Sequence, residues 1–453
     1  MNLRQRIVAD VTVRGGTLVT PEGPRRADLA IDGERITTIA PELPAGGADI
    51  DARGLIVLPG LIDVHLHFNE PGRTEWEGAA TGSRALAAGG GTLFFDMPLN
   101  STPCTLNARE FDRKRIALEE TSITDFALWG GLVPGSVPEM SELADRGVIG
   151  FKAFMCDSGL PEFPRADDVT LLEGMREATR LGLPVAVHAE SEELTKTLSA
   201  RMTRRDARDF LDSRPLIAEL EAIQRALLFA RETGAGLHIV HVSSGRGVAL
   251  AAEARAAGVN VSIETCAHYL FFTEEDMERL GAVAKCAPPL RPAREQQALW
   301  DAVTAGHVDI VASDHSPTTP GMKGGDFASA WGGIAGVQST LAVLLDRGVH
   351  ARGLPIERVA ALVATVPARR FRIRGKGSLR TGMDADLALV DLAESCTLTE
   401  ADLFQRHKMS PYVGSTFRGT VRRTIRRGET IFADGRIVAR GKGTLIRPSS
   451  VRL

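Results

Sequence analysis

Residues 60–73 have the sequence Gly60-Leu61-Ile62-Asp63-Val64-His65-Leu66-His67-Phe68-Asn69-Glu70-Pro71-Gly72-Arg73. The apolar run from Leu55 to Leu61 leads into this stretch and predicts a buried strand. Because residues i and i+2 of a strand point to the same face, the rings of His65 and His67 should converge on one point. Two neutral imidazoles at the end of a strand suit a transition-metal ion. The alternative is a pair of histidines on a solvated sheet face, and residues further along the chain argue against it.

The composition is that of an ordinary globular protein. The chain has 453 residues, of which 43% are hydrophobic and 25% charged, enough for one large domain with an attachment or for a few domains. A formal net charge of -3 gives no electrostatic reason to expect binding to nucleic acid or to an anionic membrane. Residues 1–10 lack the apolar stretch of a signal peptide, and no segment is apolar enough to span a bilayer. We therefore expect neither nucleic acid nor a membrane as a partner.

Five cysteines are scattered along the chain without C-x-x-C spacing: Cys104, Cys156, Cys266, Cys286 and Cys396. Their odd number and their spacing argue against a disulfide framework and against a structural zinc site. This number and spacing of cysteines predicts a reducing, cytoplasmic location.

The two ends of the chain share a pattern of short apolar runs separated by turns. The runs lie at 11–13, 18–19 and 31–36 near the start, and at 386–390, 420–422, 430–432 and 437–438 near the end. Their alternation and the Asp-Gly turns at 32–33 and 434–435 are typical of antiparallel strands. We predict one discontinuous β-domain assembled from residues 1–58 and 376–453.

Residues 59–375 have a different rhythm, in which short apolar runs alternate with Ala-, Glu- and Arg-rich helical stretches. We count eight candidate strands, at 56–67, 92–97, 126–129, 148–154, 184–188, 237–242, 260–264 and 308–313. Helical patterns between them include 75–88, 170–181, 215–233 and 246–257. This alternation predicts an α/β fold with a parallel sheet, and eight repeats fit a (β/α)8 TIM barrel. An open doubly wound sheet is the structural alternative, but no G-x-G-x-x-G follows the first strand.

Polar and ionisable side chains gather where the predicted strands end. In chain order they are His65, His67, Asn100, Lys152, His188, His241, Cys266, His268, Ser313, Asp314 and His315. Active sites of barrels are built at this edge. Lys152 lies within an apolar run, where an unpaired ammonium group would be unfavourable, so it is a candidate for a role in the site. The alternative is a lysine whose ammonium group reaches solvent.

Four histidines have more than one interpretation. His238 and His241 lie three residues apart on one predicted strand, so we expect them to point to opposite faces. We assign the inward position to His241 and a structural role to His238. His268 and His315 either orient a substrate or only donate to backbone carbonyl groups, and the sequence leaves both alternatives open.

The set of H-x-H, one lysine, two further histidines and a final aspartate at successive strand ends resembles the binuclear-metal branch of the amidohydrolase superfamily. Within it, the chain resembles the cyclic amidohydrolases, and among these the allantoinase group most closely, at residues 68–78, 96–101, 150–155, 285–291 and 331–336. The resemblance extends over nearly the whole chain. It implies a TIM barrel with a small composite β-sandwich domain formed from both termini.

The resemblance also implies a centre of two divalent ions. It assigns the ligands of one ion to His65, His67 and Asp314 and those of the other to His188 and His241, with Lys152, carboxylated by CO₂ to N6-carboxylysine, bridging the two. The negative charges of a carbamate and of Asp314 would offset part of the charge of two buried divalent ions. The resemblance implies zinc, while this ligand set also suits Co, Ni, Fe or Mn.

The reaction that the resemblance implies is the hydrolytic opening of a cyclic amide or ureide by a homotetrameric enzyme. Asp314 would take the proton of the attacking water and return it to the leaving nitrogen. The residues expected to hold the substrate are Asn100, Cys286, Pro288, Leu290, Ser313 and His315. A scaffold protein that has lost its ligands is the non-enzymatic alternative, which the six filled ligand positions disfavour.

The predicted substrate is allantoin, opened to allantoate, and the alternatives are hydantoinase-, dihydropyrimidinase- and dihydroorotase-like activities. Dihydroorotases have an arginine two residues after the second histidine, where this chain has Asn69. Without that guanidinium group, an acidic ring would lose charge-assisted hydrogen bonds of about 1.5–3 kcal/mol each. This argument disfavours dihydroorotate but leaves the neutral hydantoins open, and the stretch at 331–336 favours allantoin.

Overall fold

The computed structural model of the chain describes residues 9–449, and its strands fall into three groups along the sequence. The first group is β1 (Val11–Thr20), β2 (Gly23–Asp32), β3 (Arg35–Ala40), β4 (Ala48–Asp51) and β5 (Ile56–Pro59). The second is β6 (Leu61–Leu66), β7 (Gly91–Asp96), β8 (Asp125–Leu128), β9 (Gly130–Gly131), β10 (Phe151–Phe154), β11 (Val185–His188), β12 (Leu237–Ile239), β13 (Val261–Cys266) and β14 (Ile310–Ala312). The third is β15 (Leu387–Thr397), β16 (Thr416–Arg426), β17 (Glu429–Ala433) and β18 (Arg436–Ile437).

The α-helices follow the strands of the second group. They are α1 (Ala79–Ala88), α2 (Ala108–Thr121), α3 (Met140–Arg146), α4 (Asp168–Leu181), α5 (Glu192–Ser199), α6 (Ala207–Ser213), α7 (Leu216–Thr233), α8 (Gly245–Ala256), α9 (Ala267–Phe271), α10 (Glu274–Leu280), α11 (Ala293–Thr304), α12 (Thr340–Val343), α13 (Ile356–Ala360) and α14 (Val366–Arg370). Short 3₁₀ or π segments lie at Val137–Glu139, Gly281–Ala284, Pro320–Lys323, Val337–Ser339, Leu344–His350, Ala361–Thr365 and Glu400–Asp402.

Several helix starts have a local cause in the sequence. The side chains of Asn107, Asp167 and Ser244 accept hydrogen bonds from the first turns of α2, α4 and α8. The four predicted helices correspond to α1, α4, α7 and α8, and α1 begins at Ala79 because Gly78 before it has a φ of 81°. Among the described residues, no helix has both the length and the apolar character needed to cross a bilayer. Most of the N-terminal stretch that we inspected for a signal peptide lies outside the described residues.

Strands β6 to β14 form a closed parallel barrel. Hydrogen-bonded pairs connect β6, β7 and β8 in one run and β9 to β14 in the other, and only Trp129 separates β8 from β9. The barrel closes where the N–H group of His67 donates to the carbonyl oxygen of His315 at 2.8 Å, beside a parallel bridge between Leu66 and His315. With β8 and β9 counted together, the barrel has eight strands. The predicted (β/α)8 barrel is therefore confirmed.

The first predicted barrel strand is two strands in the structure. β5 pairs antiparallel with β15 in the terminal sheet, and β6 begins the barrel after Gly60. The N–H group of Gly60 donates to the carbonyl oxygen of Asp386 at 2.8 Å. A Cβ atom on Gly60 would lie 2.4 Å from the Thr92 hydroxyl oxygen, so the chain passes between the domains where no side chain fits. The sequence pattern gave no indication of this division because both halves of the run are apolar and buried.

The strands of both termini form one mixed sheet. Its order is β18-β17-β16-β15-β5-β1-β2-β3, and β4 pairs with β1. One apolar cluster contains buried residues from both termini: Val13, Leu18, Leu29, Ile31, Ile36, Val57, Leu387, Leu389 and Ile425. This sheet is the composite terminal domain. The domain boundaries at 58/59 and 375/376 stay a prediction. Residues on the two sides of these boundaries are in contact, since Tyr412 packs on Phe271 and Phe272 of the barrel part and Leu445 forms a bridge with Phe126 of β8.

We expect Gly60→Ala to destabilise the protein, because the added methyl group would overlap Thr92 at the domain crossing. Overpacking of this kind costs about 1–3 kcal/mol. The matched control is Gly321→Ala, since Gly321 is exposed and has no atom within 4 Å of its added Cβ. Thermal unfolding followed by circular dichroism should give a lower melting temperature for Gly60→Ala only. Equal melting temperatures for the two variants would contradict this account of the crossing.

Candidate metal centre and active site

The two histidines of the opening stretch lie close to an aspartate that follows the last strand of the barrel. The Asp314 Oδ1 atom lies 3.3 Å from His65 Nε2 and 3.6 Å from His67 Nε2. Donor atoms of these three side chains all lie within 4.8 Å of one another. The histidines are distant from Asp314 in the sequence, but barrel closure brings the ends of β6 and β14 together in space.

A second pair of histidines lies beside the first group. His188, at the end of β11, has its Nδ1 atom 3.0 Å from the Nε2 atom of His241. The ring centroids of His65 and His241 are 5.3 Å apart, so the two groups are neighbours. The other ring nitrogen of His188, Nε2, lies 2.8 Å from the Glu190 carboxylate, which leaves Nδ1 to face His241.

Lys152 extends from β10 into the same buried space. Its side chain is fully buried, and its Nζ atom lies 4.9 Å from the centroid of the Phe154 ring. Burial lowers the pKa of Lys152 to about 8. The positive charge of Lys152 also contributes, after burial, to the lowered pKa values of His67, His188 and His241. The structure therefore brings all six predicted metal-ligand side chains to one edge of the barrel.

The backbone is strained at several positions around these side chains. Asn69, Asn100, His241 and Asp314 have φ values of 62°, 69°, 39° and 43°. Left-handed conformations of residues other than glycine are uncommon and cluster at functional sites, where the surrounding structure holds them. At His241 and Asp314 this conformation carries the side chain off the end of its strand.

Hydrogen bonding and charge both fit a bound cation. Within residues 9–449, the buried atoms without a hydrogen-bond partner include His67 Nδ1, Lys152 Nζ and His241 Nδ1. Burial lowers the pKa of His67 to about 4 and also lowers that of His188, so both rings are neutral near pH 7, as metal binding requires. Burial raises the pKa of Asp314, but the adjacent His65 and His67 outweigh it and leave the pKa below its usual value. These residues therefore fit a centre of divalent ions.

Two other groups of donors are less suitable for a metal ion. Cys156, His188 and Glu190 form one, and Cys266, His268 and Asp314 form the other. Burial raises the pKa of Cys156 to about 12 and that of Cys266 well above its usual value, so both thiols are protonated. The thiolate is the form that binds metal.

The sequence analysis missed two carboxylates that lie below the histidines. The Asp63 Oδ1 atom accepts hydrogen bonds from the N–H groups of His65 and Ser313, each at 3.2 Å. The Glu264 carboxylate lies 2.8 Å from His65 Nδ1. Burial raises the pKa of Asp63 to about 6. An ionisable residue inside an apolar predicted strand was the signal that could have identified both, as it did for Lys152.

The expectation that His238 and His241 point to opposite faces is wrong. In the barrel register His238 pairs with Ala186, which lies two residues before His188 on the same face of β11. His238 therefore also faces the barrel interior, one layer below the site. β12 ends at Ile239, and the positive φ of His241 breaks the alternation on which the expectation depended. The structural role of His238 is consistent with its two hydrogen bonds, to Ser262 at 2.8 Å and to Glu264 at 2.9 Å.

A cavity of about 490 Å³ opens above the histidines. It is lined by His65, His67, His188, His241 and Asp314, and by residues of the surrounding loops: Leu99, Asn100, Phe154, Asp157, Ser158, Gly159, Ser199, Met202, Arg205, Phe210, Arg214, Lys285, Cys286, Ala287, Ser316, Ala328, Ser329, Ala330, Trp331, Gly332 and Gly333. Such a volume suits a small molecule.

Of the predicted substrate-binding residues, Asn100 and Cys286 line the cavity. Pro288 and Leu290 do not lie on its wall. The Pro288 carbonyl oxygen accepts a hydrogen bond from the Tyr269 hydroxyl at 2.7 Å, and Leu290 is fully buried in the main apolar cluster.

Ser313 and His315 lie behind the wall of the cavity. The Ser313 hydroxyl accepts a hydrogen bond from the N–H group of His315 and donates to the carbonyl oxygen of His65 at 3.4 Å. The Nδ1 atom of His315 accepts from the N–H groups of Gly336 and Val337 at 3.1 and 3.4 Å. These contacts fix the backbone on both sides of Asp314. His268 is also buried off the cavity wall, and neither ring nitrogen has a hydrogen-bond partner among the described residues.

Three cationic side chains line the cavity, and each is already engaged. The Arg214 guanidinium donates to Glu190 at 2.6 Å, and that of Arg205 donates twice to Asp326 at 3.1 Å. The Lys285 ammonium donates to backbone carbonyl oxygens of residues 327, 328 and 330 at 2.6 to 2.9 Å. The sequence contained no signal for Arg205 or Arg214, which flank the short helix α6.

Comparison with known proteins gives matches over nearly the whole chain. The sequence pattern described as "Amidohydrolase family" matches residues 56–431. The allantoinase of Solibacter usitatus is 63% identical over 98% of this chain and 98% of its own, and the allantoinase of Rubrobacter xylanophilus is 57% identical over 97% and 98%. The solved L-hydantoinase (dihydropyrimidinase) from Arthrobacter aurescens is 32% identical, with a TM-score of 0.94 over 97% of this chain and 100% of that chain. With these matches and a set of metal-binding side chains at its barrel edge, the chain is a hydrolase that belongs to the amidohydrolase family.

Proposed function

We propose that the chain opens the ring of allantoin by hydrolysis of a ring amide and releases allantoate. The observation that carries this proposal is the joint position of metal-suited side chains: five of them line a small-molecule cavity, and the sixth, Lys152, is buried beside them. Relatives that are 63% and 57% identical over nearly their full length bear the name allantoinase. The hydantoinase-like activity is the second candidate, because the solved structure with a TM-score of 0.94 is an L-hydantoinase.

The proposed centre has His65, His67 and Asp314 on one ion and His188 and His241 on the other, with carboxylated Lys152 between them. Bound divalent ions of this kind polarise a carbonyl group and lower the pKa of water. Zinc is our proposal from the family resemblance, and the nitrogen and oxygen donors also suit Co, Ni, Fe or Mn.

The carboxylation of Lys152 follows from its environment. A pKa of about 8 gives the buried amine a neutral fraction near pH 7 that an exposed lysine lacks. The neutral Nζ atom can attack CO₂, forming an N–C bond and releasing one proton. The resulting carbamate is an anionic oxygen ligand, whereas an ammonium group would repel a cation at the same place.

Asp314 is the proposed proton carrier. The nearby His65 and His67 keep its pKa below the usual value, so the carboxylate is ionised and can accept a proton near pH 7. Its side chain is 14% exposed and borders the cavity, where it can reach both an attacking water molecule and a leaving nitrogen. It acts as a general base and then as a general acid.

The charges of the cavity wall favour a neutral ring. Asn69 is buried, and its neutral amide donates to the carbonyl oxygen of Pro317, so this position offers no cation to a carboxylate. Arg205, Arg214 and Lys285 already have anionic or carbonyl partners. A substrate carboxylate would have to displace one of these partners. Allantoin is neutral and has amide donors and carbonyl acceptors, so it can bind without displacing any of these partners.

Two further proposals concern the state of the protein in the cell. The family resemblance supports a homotetramer. The five cysteines are free thiols, four of them buried, which supports a reducing cytoplasmic location.

Lys152→Ala should lose bound metal and activity, because the bridging anion can no longer form. The purified protein is expected to contain close to two ions per chain, measured by elemental analysis of the enzyme prepared with bicarbonate. A short carboxylic acid at high concentration should partly restore both properties of the variant. The control is Lys196→Ala, since the Lys196 side chain is 78% exposed. Full metal content and turnover in Lys152→Ala would refute the carbamate.

Asp314→Asn should remain folded and lose about 10²–10⁴-fold in kcat, the range for a lost acid–base group. Asp51→Asn, which changes a carboxylate that is 58% exposed in the terminal sheet, should keep wild-type turnover. Steady-state rates and circular dichroism of both variants test this. Turnover within a few-fold of wild type would remove Asp314 from the proton-transfer role.

The substrate assignment predicts a larger kcat/KM for allantoin than for dihydroorotate or a 5-substituted hydantoin. The cavity offers no unengaged cation to the acidic ring of dihydroorotate, and the expected preference over the neutral hydantoin rests on the similarity to relatives named allantoinase. The three substrates should be compared side by side with metal-loaded enzyme at one pH. A higher kcat/KM for a hydantoin would favour the second candidate, and a higher value for dihydroorotate would overturn the charge argument.

A further inference from the structure

One buried carboxylate touches ligands of both proposed ions. The Glu264 Oε1 atom lies 2.8 Å from His65 Nδ1 and accepts a hydrogen bond from the backbone N–H group of His241 at 3.0 Å. Its Oε2 atom lies 2.9 Å from His238 Nε2. The side chain is completely buried and borders neither the cavity nor any substrate position.

The contact with His65 decides which ring nitrogen can bind metal. A carboxylate is an acceptor only, so His65 Nδ1 must carry the proton and donate it to Glu264. The unprotonated Nε2 atom then faces Asp314 at 3.3 Å. A hydrogen-bond acceptor behind a histidine thus fixes both the tautomer and the orientation of the ring.

The contact with His241 acts on the backbone instead of the ring. His241 follows the end of β12 with a φ of 39°, a conformation that needs support from its surroundings. The hydrogen bond from its N–H group to Glu264 supplies that support and directs the ring toward His188.

His238 and Ser262 hold the carboxylate itself. His238 donates from Nε2 to Glu264, and its Nδ1 atom lies 2.8 Å from the Ser262 hydroxyl. The His238 ring also stacks on Trp129 with an interplanar angle of 10°. The orientation of Glu264 is therefore fixed from below by a layer of packed side chains.

We propose that Glu264 is a positioning residue that orients His65 of the first ion and His241 of the second, so that one buried carboxylate links the affinities of both ions. This inference rests on the two-ion centre of the proposed function. It differs from the role of Glu190, whose carboxylate contacts only His188 among the proposed ligands.

The test is a titration of metal-free protein with Co²⁺ in bicarbonate buffer, followed by visible absorption and by competition with a chelator. Wild type should bind two ions. In Glu264→Gln, the charge is lost and the amide has only one oxygen for three donors, so both ions should bind about 10–100-fold more weakly. In the matched variant Glu190→Gln, only one of the two ions should weaken.

The outcomes separate the inference from the proposed function. If wild type binds fewer than two ions, the two-ion centre itself fails. If wild type binds two ions and Glu264→Gln binds both with wild-type affinity, or weakens one ion only, the linking role of Glu264 is wrong. A lower melting temperature of metal-free Glu264→Gln with unchanged Co²⁺ affinities would assign it a purely structural role.

Glu264→Asp provides a second variant in case the glutamine side chain prevents folding. It keeps the negative charge but is one methylene group shorter, so it cannot reach all three donors at once. It should also weaken both ions, and wild-type affinity for both in this variant would equally overturn the proposal.

Discussion

The site depends on one electrostatic constraint, which is that several titratable side chains share a volume from which water is largely excluded. Burial lowers the pKa values of His67, His188 and Lys152, while His65 and His67 keep Asp314 ionised against the effect of burial. An isolated set of buried charges and unpartnered donors would be unfavourable. Divalent ions would resolve this conflict, because they use neutral imidazoles and anionic oxygens as ligands.

The barrel satisfies this constraint in two layers. The upper layer contains the donor side chains, two of which, His241 and Asp314, are on strained backbone at strand ends. The lower layer contains Asp63, Glu264 and His238, whose hydrogen bonds fix the backbone and rings above them. Strain in the upper layer is tolerated because the lower layer is packed and hydrogen bonded. A site built in this way keeps its ligands oriented before any ion arrives.

The cavity above the donors constrains the substrate by charge as well as by size. Its arginine and lysine side chains are held by Glu190, Asp326 and backbone carbonyl groups. The wall therefore offers polar groups without an unengaged positive charge. That property agrees with a neutral cyclic amide, a description that covers both allantoin and the hydantoins, so the wall charge does not discriminate between them.

The sequence by itself predicted the barrel and the composite terminal sheet, because these depend on local alternation, and it placed metal-suited residue types at the strand ends. Their assignment as metal ligands came from the family resemblance and stays a prediction. His65 and His67 could be paired from their spacing alone, while the partnership with Asp314 came from family resemblance. Only the tertiary structure decided that the first apolar run divides at Gly60, that His238 faces inward beneath His241, and that Glu264 contacts both His65 and His241. It also decided that Pro288, Leu290, Ser313 and His315 lie behind the cavity wall. The physical reason is that strand ends, positive φ values and contacts between distant strands are set by packing around the closed barrel, which a pattern along one chain does not contain.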